Sequence, residues 1–260
     1  MNLEQNLYVN CLDDVGTSHG KIEQSLLVNI AHLFEQLTMS PQEVIHYIED
    51  VKVCEMYQQT FFQLLHFLRS DKIFQQFLIE LLQYDRALFI HSLHVTIYSL
   101  LLAHQAKFET PQLLELAKAA LLHDIGKISV SPKVLYKPGK LTDTEFDQIK
   151  EHVAYGCSYL KNRTTLSTAI LKGIQQHHER LDGSGYPNGA TFLHPYAKII
   201  AVADIFDALT AERCCKKSMS VNDAYRILKL DAQTKIEPKY VSILMNYIPS
   251  KMEKLISIPI

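Results

Sequence analysis

Apolar residues recur along this chain at helical spacing. Phe61, Leu64, Leu65 and Leu68 fall three and four residues apart, as do Phe74, Phe77, Leu78 and Leu81. Each set lays a single apolar stripe along a helix. Alternation with a period of two is scarce, so the pattern predicts an all-α fold. The breakers agree: between Lys21 and Ile125 there is no glycine, and only Pro41 and Pro111 interrupt. Such a stretch reads as helices joined by short turns. Helices are expected near 21–37, 41–57, 60–69, 72–84, 86–107, 111–123, 143–161, 166–178, 196–212, 220–231 and 238–248. Start signals support several of them. Ser40-Pro41 and Thr110-Pro111 each place a cap before a proline at the first helical position. Thr142 and Glu145 have capping-box spacing.

The most apolar stretch, Ala87 to Ala106, holds His91, His94 and His104. Three imidazoles in one span argue against a membrane helix and for a buried helix with a polar stripe. Composition changes little in this picture. The 260 residues are 47% hydrophobic and 21% charged, which excludes disordered, collagenous and disulfide-scaffold classes. The net charge of −2 argues against a polymeric nucleic-acid binder. Charge is unevenly spread, however. Residues 1–84 carry 11 acidic against 4 basic residues, and residues 85–260 carry 17 against 22. This asymmetry places a domain boundary near 84/85. The first 84 residues then form a smaller helical domain, regulatory or dimer-forming, with an acidic surface for a protein partner. Five cysteines (Cys11, Cys54, Cys157, Cys214 and Cys215) form no CxxC pair. An odd count and no secretory leader point to a reducing cytoplasm.

Chemistry concentrates after residue 125, where seven of the nine glycines fall. His123 and Asp124 end an apolar helix and are followed by Ile125-Gly126-Lys127. Neighbours on a helix project about 100° apart, so the pair can face two sides of one metal centre. The bland alternative is a helix terminus with Gly126 as its left-handed cap. His177 and His178 precede Glu179 and a constrained Asp182-Gly183-Ser184-Gly185-Tyr186-Pro187 loop, and paired imidazoles suit a first-row transition metal. Asp204 is a single carboxylate inside Ile199-Ile200-Ala201-Val202-Ala203, so it needs a cation nearby. That cation is a metal or, more plainly, a lysine or arginine. His91 and His152 complete the candidates. His94 lies three residues from His91 on the same helix face, where it could support that ligand, but it reads more plainly as a satisfied core residue.

Taken in order, these motifs resemble the HD-GYP domain, a branch of the HD-domain metal-dependent phosphohydrolases. The resemblance runs from about 85 to 250. It rests on His91-Ser92, His123-Asp124-Ile125-Gly126-Lys127, Lys137-Pro138-Gly139-Lys140-Leu141-Thr142, His152, His177-His178-Glu179, the Gly185-Tyr186-Pro187 loop and Ala203-Asp204-Ile205-Phe206-Asp207-Ala208-Leu209-Thr210. It implies a helical bundle that hydrolyses cyclic di-GMP or a related cyclic dinucleotide. It assigns metal ligation to His91, His123, Asp124, His152, His177, His178 and Asp204, with Asp124 bridging two divalent ions. Iron leads, and manganese and zinc remain open. A hydroxide shared by the ions is the expected attacking group, giving linear pGpG and then, with further cleavage, GMP. Lys127, Arg213 and Lys216 are implied to hold phosphate, and Gly185, Tyr186 and Pro187 to shape the site and present a surface to a protein partner. The alternative is a weakly active or inactive domain that binds a cyclic dinucleotide or another protein.

The chain departs from the family pattern at four places. Ala87 stands where some members carry a third-metal glutamate. Cys214-Cys215 replaces Pro-Tyr after Arg213, Lys198 replaces an arginine, and Gln233-Thr234-Lys235-Ile236-Glu237-Pro238 replaces a Gly-Thr-x-Phe-Asp-Pro stretch.

Overall fold

Asp71 opens the first described helix by accepting a hydrogen bond from the Phe74 amide. The structure, a computed structural model of the chain, describes residues 71–211 and 218–248. The helices expected near 21–37, 41–57 and 60–69 lie outside them, as do Cys11, Cys54, Arg213, Cys214, Cys215 and Lys216. Ten α-helices follow in the described residues: α1 (Lys72–Tyr84), α2 (Arg86–Gln105), α3 (Thr110–Leu122), α4 (Pro132–Leu135), α5 (Asp143–Lys150), α6 (His152–Lys161), α7 (Thr168–Gln176), α8 (Pro195–Thr210), α9 (Val221–Asp231) and α10 (Pro238–Tyr247). A 3-10 turn, Ile125–Ser129, joins α3 to α4. No strand occurs among the described residues, so this part is all-α.

Helices α2, α3, α7 and α8 form the centre. The α2 helix packs on α3 and α8, and α7 closes the ring against α3 and α8. Buried Phe89, Leu93, Leu102, Leu116, Leu121, Ile200 and Phe206 fill the space between them, each contributing about 1.5–3 kcal/mol by leaving water. By length and composition α2 would suit a membrane span, but 83% of its most apolar window is buried inside this bundle.

Helices α1 and α2 are separate. Asp85, in extended conformation, ends the first and caps the second by accepting from the Ala87 amide. This helix junction lies where the charge asymmetry changes, and the core runs across it through Phe74, Phe77, Leu78 and Leu81.

Several local expectations need correction. The helix expected over 143–161 is two helices that turn at Glu151, so His152 begins a new helix instead of lying within one. The cap of α3 is Glu109, not Thr110, and its amide donates to Gln112 Oε1 at 2.9 Å. The α2 helix stops at Gln105 because Lys107 takes a left-handed φ of 66°. The Thr142–Glu145 capping box is present as expected.

Candidate metal centre

Three of the candidate histidines sit just past the end of a helix: His123 after α3, His152 after α5 and His177 after α7. A helix cannot satisfy its own last four carbonyls. Each of these histidines uses one of them. Nδ1–H of His123 donates to the Ala120 carbonyl at 2.7 Å, that of His152 to Ile149 at 2.7 Å and that of His177 to Ile174 at 2.6 Å. A carbonyl only accepts, so Nδ1 carries a proton, and in the neutral ring the free lone pair is on Nε2. All three rings are buried, and their Nε2 atoms have no hydrogen-bond partner. The same holds for Asp124 Oδ1.

Asp124 lies at the centre. Its Oδ2 is 3.3 Å from His123 Nε2, 3.6 Å from His91 Nε2 and 2.5 Å from Lys127 Nζ. Its Oδ1 is 3.2 Å from His152 Nε2 and 3.9 Å from His177 Nε2. The donor atoms therefore fall into two groups that share this carboxylate: His91, His123 and Asp124 on one side, and Asp124, His152, His177 and His178 on the other. Asp204 lies against both groups, with Oδ1 3.1 Å from His91 Nε2 and Oδ2 4.0 Å from His178 Nδ1. Among the described residues its ion pairs are with these two histidines, and none is with a lysine or arginine.

The electrostatics match this crowding. Burial pushes the Asp124 carboxyl up, but Lys127, His123 and His152 hold it well below the usual range. Burial, then the neighbouring imidazoles, keeps His177 far below its ordinary value, and burial lowers His178 to about 3. His91 moves the other way. Burial lowers it, but Asp204 and Asp207 together raise it to about 9. Carboxylates and imidazole nitrogens aimed inward form a donor set for a divalent transition metal, to which His91 would contribute by giving up its Nε2 proton. Buried, unpartnered acceptors cost free energy unless something satisfies them. The residues present fit metal ions.

Gly126 is not a left-handed cap. It belongs to the 3-10 turn, and a Cβ there would lie 1.9 Å from the His152 carbonyl oxygen. The bare backbone lets the turn carrying Asp124 meet the start of α6. The glycine-rich loop is held differently. Glu179 is fully buried and accepts from the Asn188 and Ala190 amides at 2.7 and 3.0 Å. Gly185 passes so close to Glu179 and Arg180 that a Cβ would meet their backbone at 2.4 Å. Tyr186 thereby lies flat on His178, with ring centroids 4.6 Å apart, and Pro187 follows through a cis peptide bond. Lys198 pairs with Glu237 at 2.9 Å, so two of the departures from the family pattern meet in one ion pair.

Sequence reasoning missed two residues. Glu179 was read only as part of a motif, and its loop-holding role has no local signal. Asp207 is fully buried, binds His91 Nδ1 at 2.6 Å and binds His94 Nδ1 at 3.0 Å. Its position three residues past Asp204 on an apolar helix was the available clue. His94, for which a core role was preferred over support of His91, is in this contact too.

Comparison with known proteins identifies the family. The HD domain family model matches residues 76–240. The chain belongs to the HD-domain family. Within it, the HD-GYP branch supplies its relatives. One is a 3'3'-cGAMP-specific phosphodiesterase of Vibrio cholerae, 37% identical over 64% of this chain and 37% of that protein. Another is a cyclic di-GMP phosphodiesterase of Pseudomonas aeruginosa, 37% identical over 57% of this chain and 36% of the relative. The chain thus spans little more than a third of these curated relatives. Among solved structures, an HDG"Y"P protein from Bdellovibrio bacteriovorus superposes with a TM-score of 0.55, covering 89% of this chain and 74% of its own. At 20% identity it shows the shared fold.

Proposed function

We propose that this HD-GYP domain is a metal-dependent phosphodiesterase for a cyclic dinucleotide. One observation carries the reading: a single buried carboxylate, Asp124, shared between two groups of inward-facing imidazoles. Its two oxygens suit it to bridge two divalent ions. His91 and His123 would hold one ion, and His152, His177 and His178 the other, with Asp204 beside both. Five imidazoles and two carboxylates favour iron or manganese, with zinc as a further candidate. Ala87 offers no third carboxylate, which favours two ions over three. Bound there, two divalent ions supply Lewis acidity to the phosphoryl oxygens and acidify an attacking water.

The chain's own residues do the rest. Lys127 stands beside Asp124 and only partly exposed, where its ammonium can offset charge on a phosphate. Burial, followed by Asp124 and Asp204, pushes the Tyr186 hydroxyl far above its ordinary value. Its Oη keeps the proton and can donate a hydrogen bond to an anionic substrate. Arg213 and Lys216, outside the described residues, are the remaining cations assigned to phosphate. Gly185 and Pro187 hold the Tyr186 ring against His178, which keeps water from that edge of the centre.

The substrate class comes from the relatives, whose names give both cyclic di-GMP and 3'3'-cGAMP. We favour cyclic di-GMP, opened to linear pGpG. The residues before α1 act in this reading as a helical regulatory or dimer-forming segment, and the chain works in the cytoplasm. Anaerobic incubation of the Fe(II)- or Mn(II)-loaded chain with each dinucleotide, with products separated by chromatography, tests the proposal. Linear pGpG without GMP is the expected result. GMP as the main product would contradict the two-ion inference from Ala87. No turnover at full metal occupancy would leave a dinucleotide-binding or protein-docking module.

A further inference from the structure

His91 differs from the other inward-facing histidines in its surroundings. It lies in the middle of α2, where the carbonyl three residues back is engaged in the helix. Its Nδ1 finds Asp207 instead, 116 residues away in the chain and 2.6 Å away in space. The other oxygen of that carboxylate takes Nδ1 of His94 at 3.0 Å. His94 is one turn along α2 from His91, so both imidazoles reach the same carboxylate from one helix face. Asp207 is fully buried, and both oxygens are engaged. Its orientation is therefore set from two sides, and with it the direction of His91 Nε2, which faces Asp124 and Asp204 at 3.6 and 3.1 Å. Nothing comparable stands behind His152 or His177, whose Nδ1 atoms rest on backbone carbonyls.

We propose that Asp207 and His94 are a positioning pair for one metal site only, the one formed by His91, His123 and Asp124. A carboxylate behind a ligating imidazole fixes its tautomer, locks its ring and raises its basicity. A backbone carbonyl does the first two but carries no full charge. The two sites therefore differ in how their ligands are supported, and substitution of Asp207 separates them. This inference rests on the two-ion reading of the preceding section.

The test uses the full chain loaded with Mn(II), with bound metal counted by elemental analysis and followed by electron paramagnetic resonance. The unsubstituted chain is expected to take two ions per chain and to give a spin-coupled spectrum. Asp207→Ala should keep one ion at unchanged affinity and bind the other ~10–100-fold more weakly, the usual cost of losing such an outer partner. Its spectrum at limiting metal becomes that of an isolated ion. His94→Phe keeps the ring volume, removes the N–H, and should weaken the same ion by a smaller factor. Equal weakening of both ions in folded Asp207→Ala, or of neither, overturns the proposal. If Asp207→Ala does not fold, His94→Phe decides, and unchanged binding of both ions overturns it. Fewer than two ions in the unsubstituted chain defeats the two-ion reading itself, and that outcome is visible before any substitution.

Discussion

Two kinds of histidine meet at Asp124. His123, His152 and His177 follow helix ends and rest on the carbonyls of Ala120, Ile149 and Ile174. His91 lies inside a helix and rests on Asp207. The difference follows from helix geometry: terminal carbonyls are available to a side chain and interior ones are not. A helix end thus supplies its own orienting partner within three residues. A ligand placed mid-helix must obtain one from another element, and here α8 provides it. The first kind of support is built wherever the helix stops. The second exists only once α2 and α8 have packed.

Substitution can break this contrast at several depths. The largest effect is expected from Asp124→Ala, which removes the group common to both kinds. Metal content should fall at both sites and hydrolysis of a cyclic dinucleotide should cease, read by elemental analysis and chromatography. Full metal and full rate in this variant would defeat the bridging role. His177→Ala removes a ligand instead of its support. It should therefore lower metal affinity by more than the ~10–100-fold typical of an outer partner, as a metal titration can establish.

A backbone brace cannot be deleted by changing a side chain, but it can be moved. Gly126→Ala would drive a Cβ to within 1.9 Å of the His152 carbonyl oxygen. The 3-10 turn and α6 would then have to separate, at about 3 kcal/mol for an overpacked contact. At roughly 2–4 °C per kcal/mol for a chain of this size, thermal unfolding should fall by about 6–12 °C. Wild-type stability would mean that this approach is looser than its geometry.

The smallest effect lies one helix upstream, in the capping box that opens α5 before His152. Lys137, followed by the Thr142 amide, depresses the Glu145 carboxyl to about 2 from an ordinary 4.5. A lowered folded value means that the contribution is present above about pH 4.5 and is lost as pH falls through about 2. Glu145→Gln should therefore lower the denaturation midpoint slightly at pH 7, with the gap closing near pH 2. A gap independent of pH would assign the effect to packing instead of charge.

Much of this was legible before the fold was known. The bounds of α1 follow from its stripe of Phe74, Phe77, Leu78 and Leu81, and the capping box at Thr142 follows from residue type and spacing. His123-Asp124, His177-His178 and Asp204 stood out by residue type in apolar surroundings, whereas His91 and His152 joined the ligand set through the family resemblance. The break at Glu151 was not readable. No proline or glycine lies within four residues of it, and the turn accompanies the close approach of His152 to Gly126. The roles of Glu179 and Asp207 were hidden for a related reason. A carboxylate reveals its function only through what it accepts, and both accept from residues brought near by folding.

Local order therefore accounts for the helices and for three candidate ligands whose Nδ1 atoms rest on their own helix ends. These depend on interactions within a few residues, which the chain carries wherever it goes. The division of the donors into two groups around one carboxylate, and the support of His91 from α8, depend on contacts across as many as 116 positions. Such contacts form only when burial of the α2, α3, α7 and α8 faces brings distant residues together, and no short-range pattern specifies which atoms then meet.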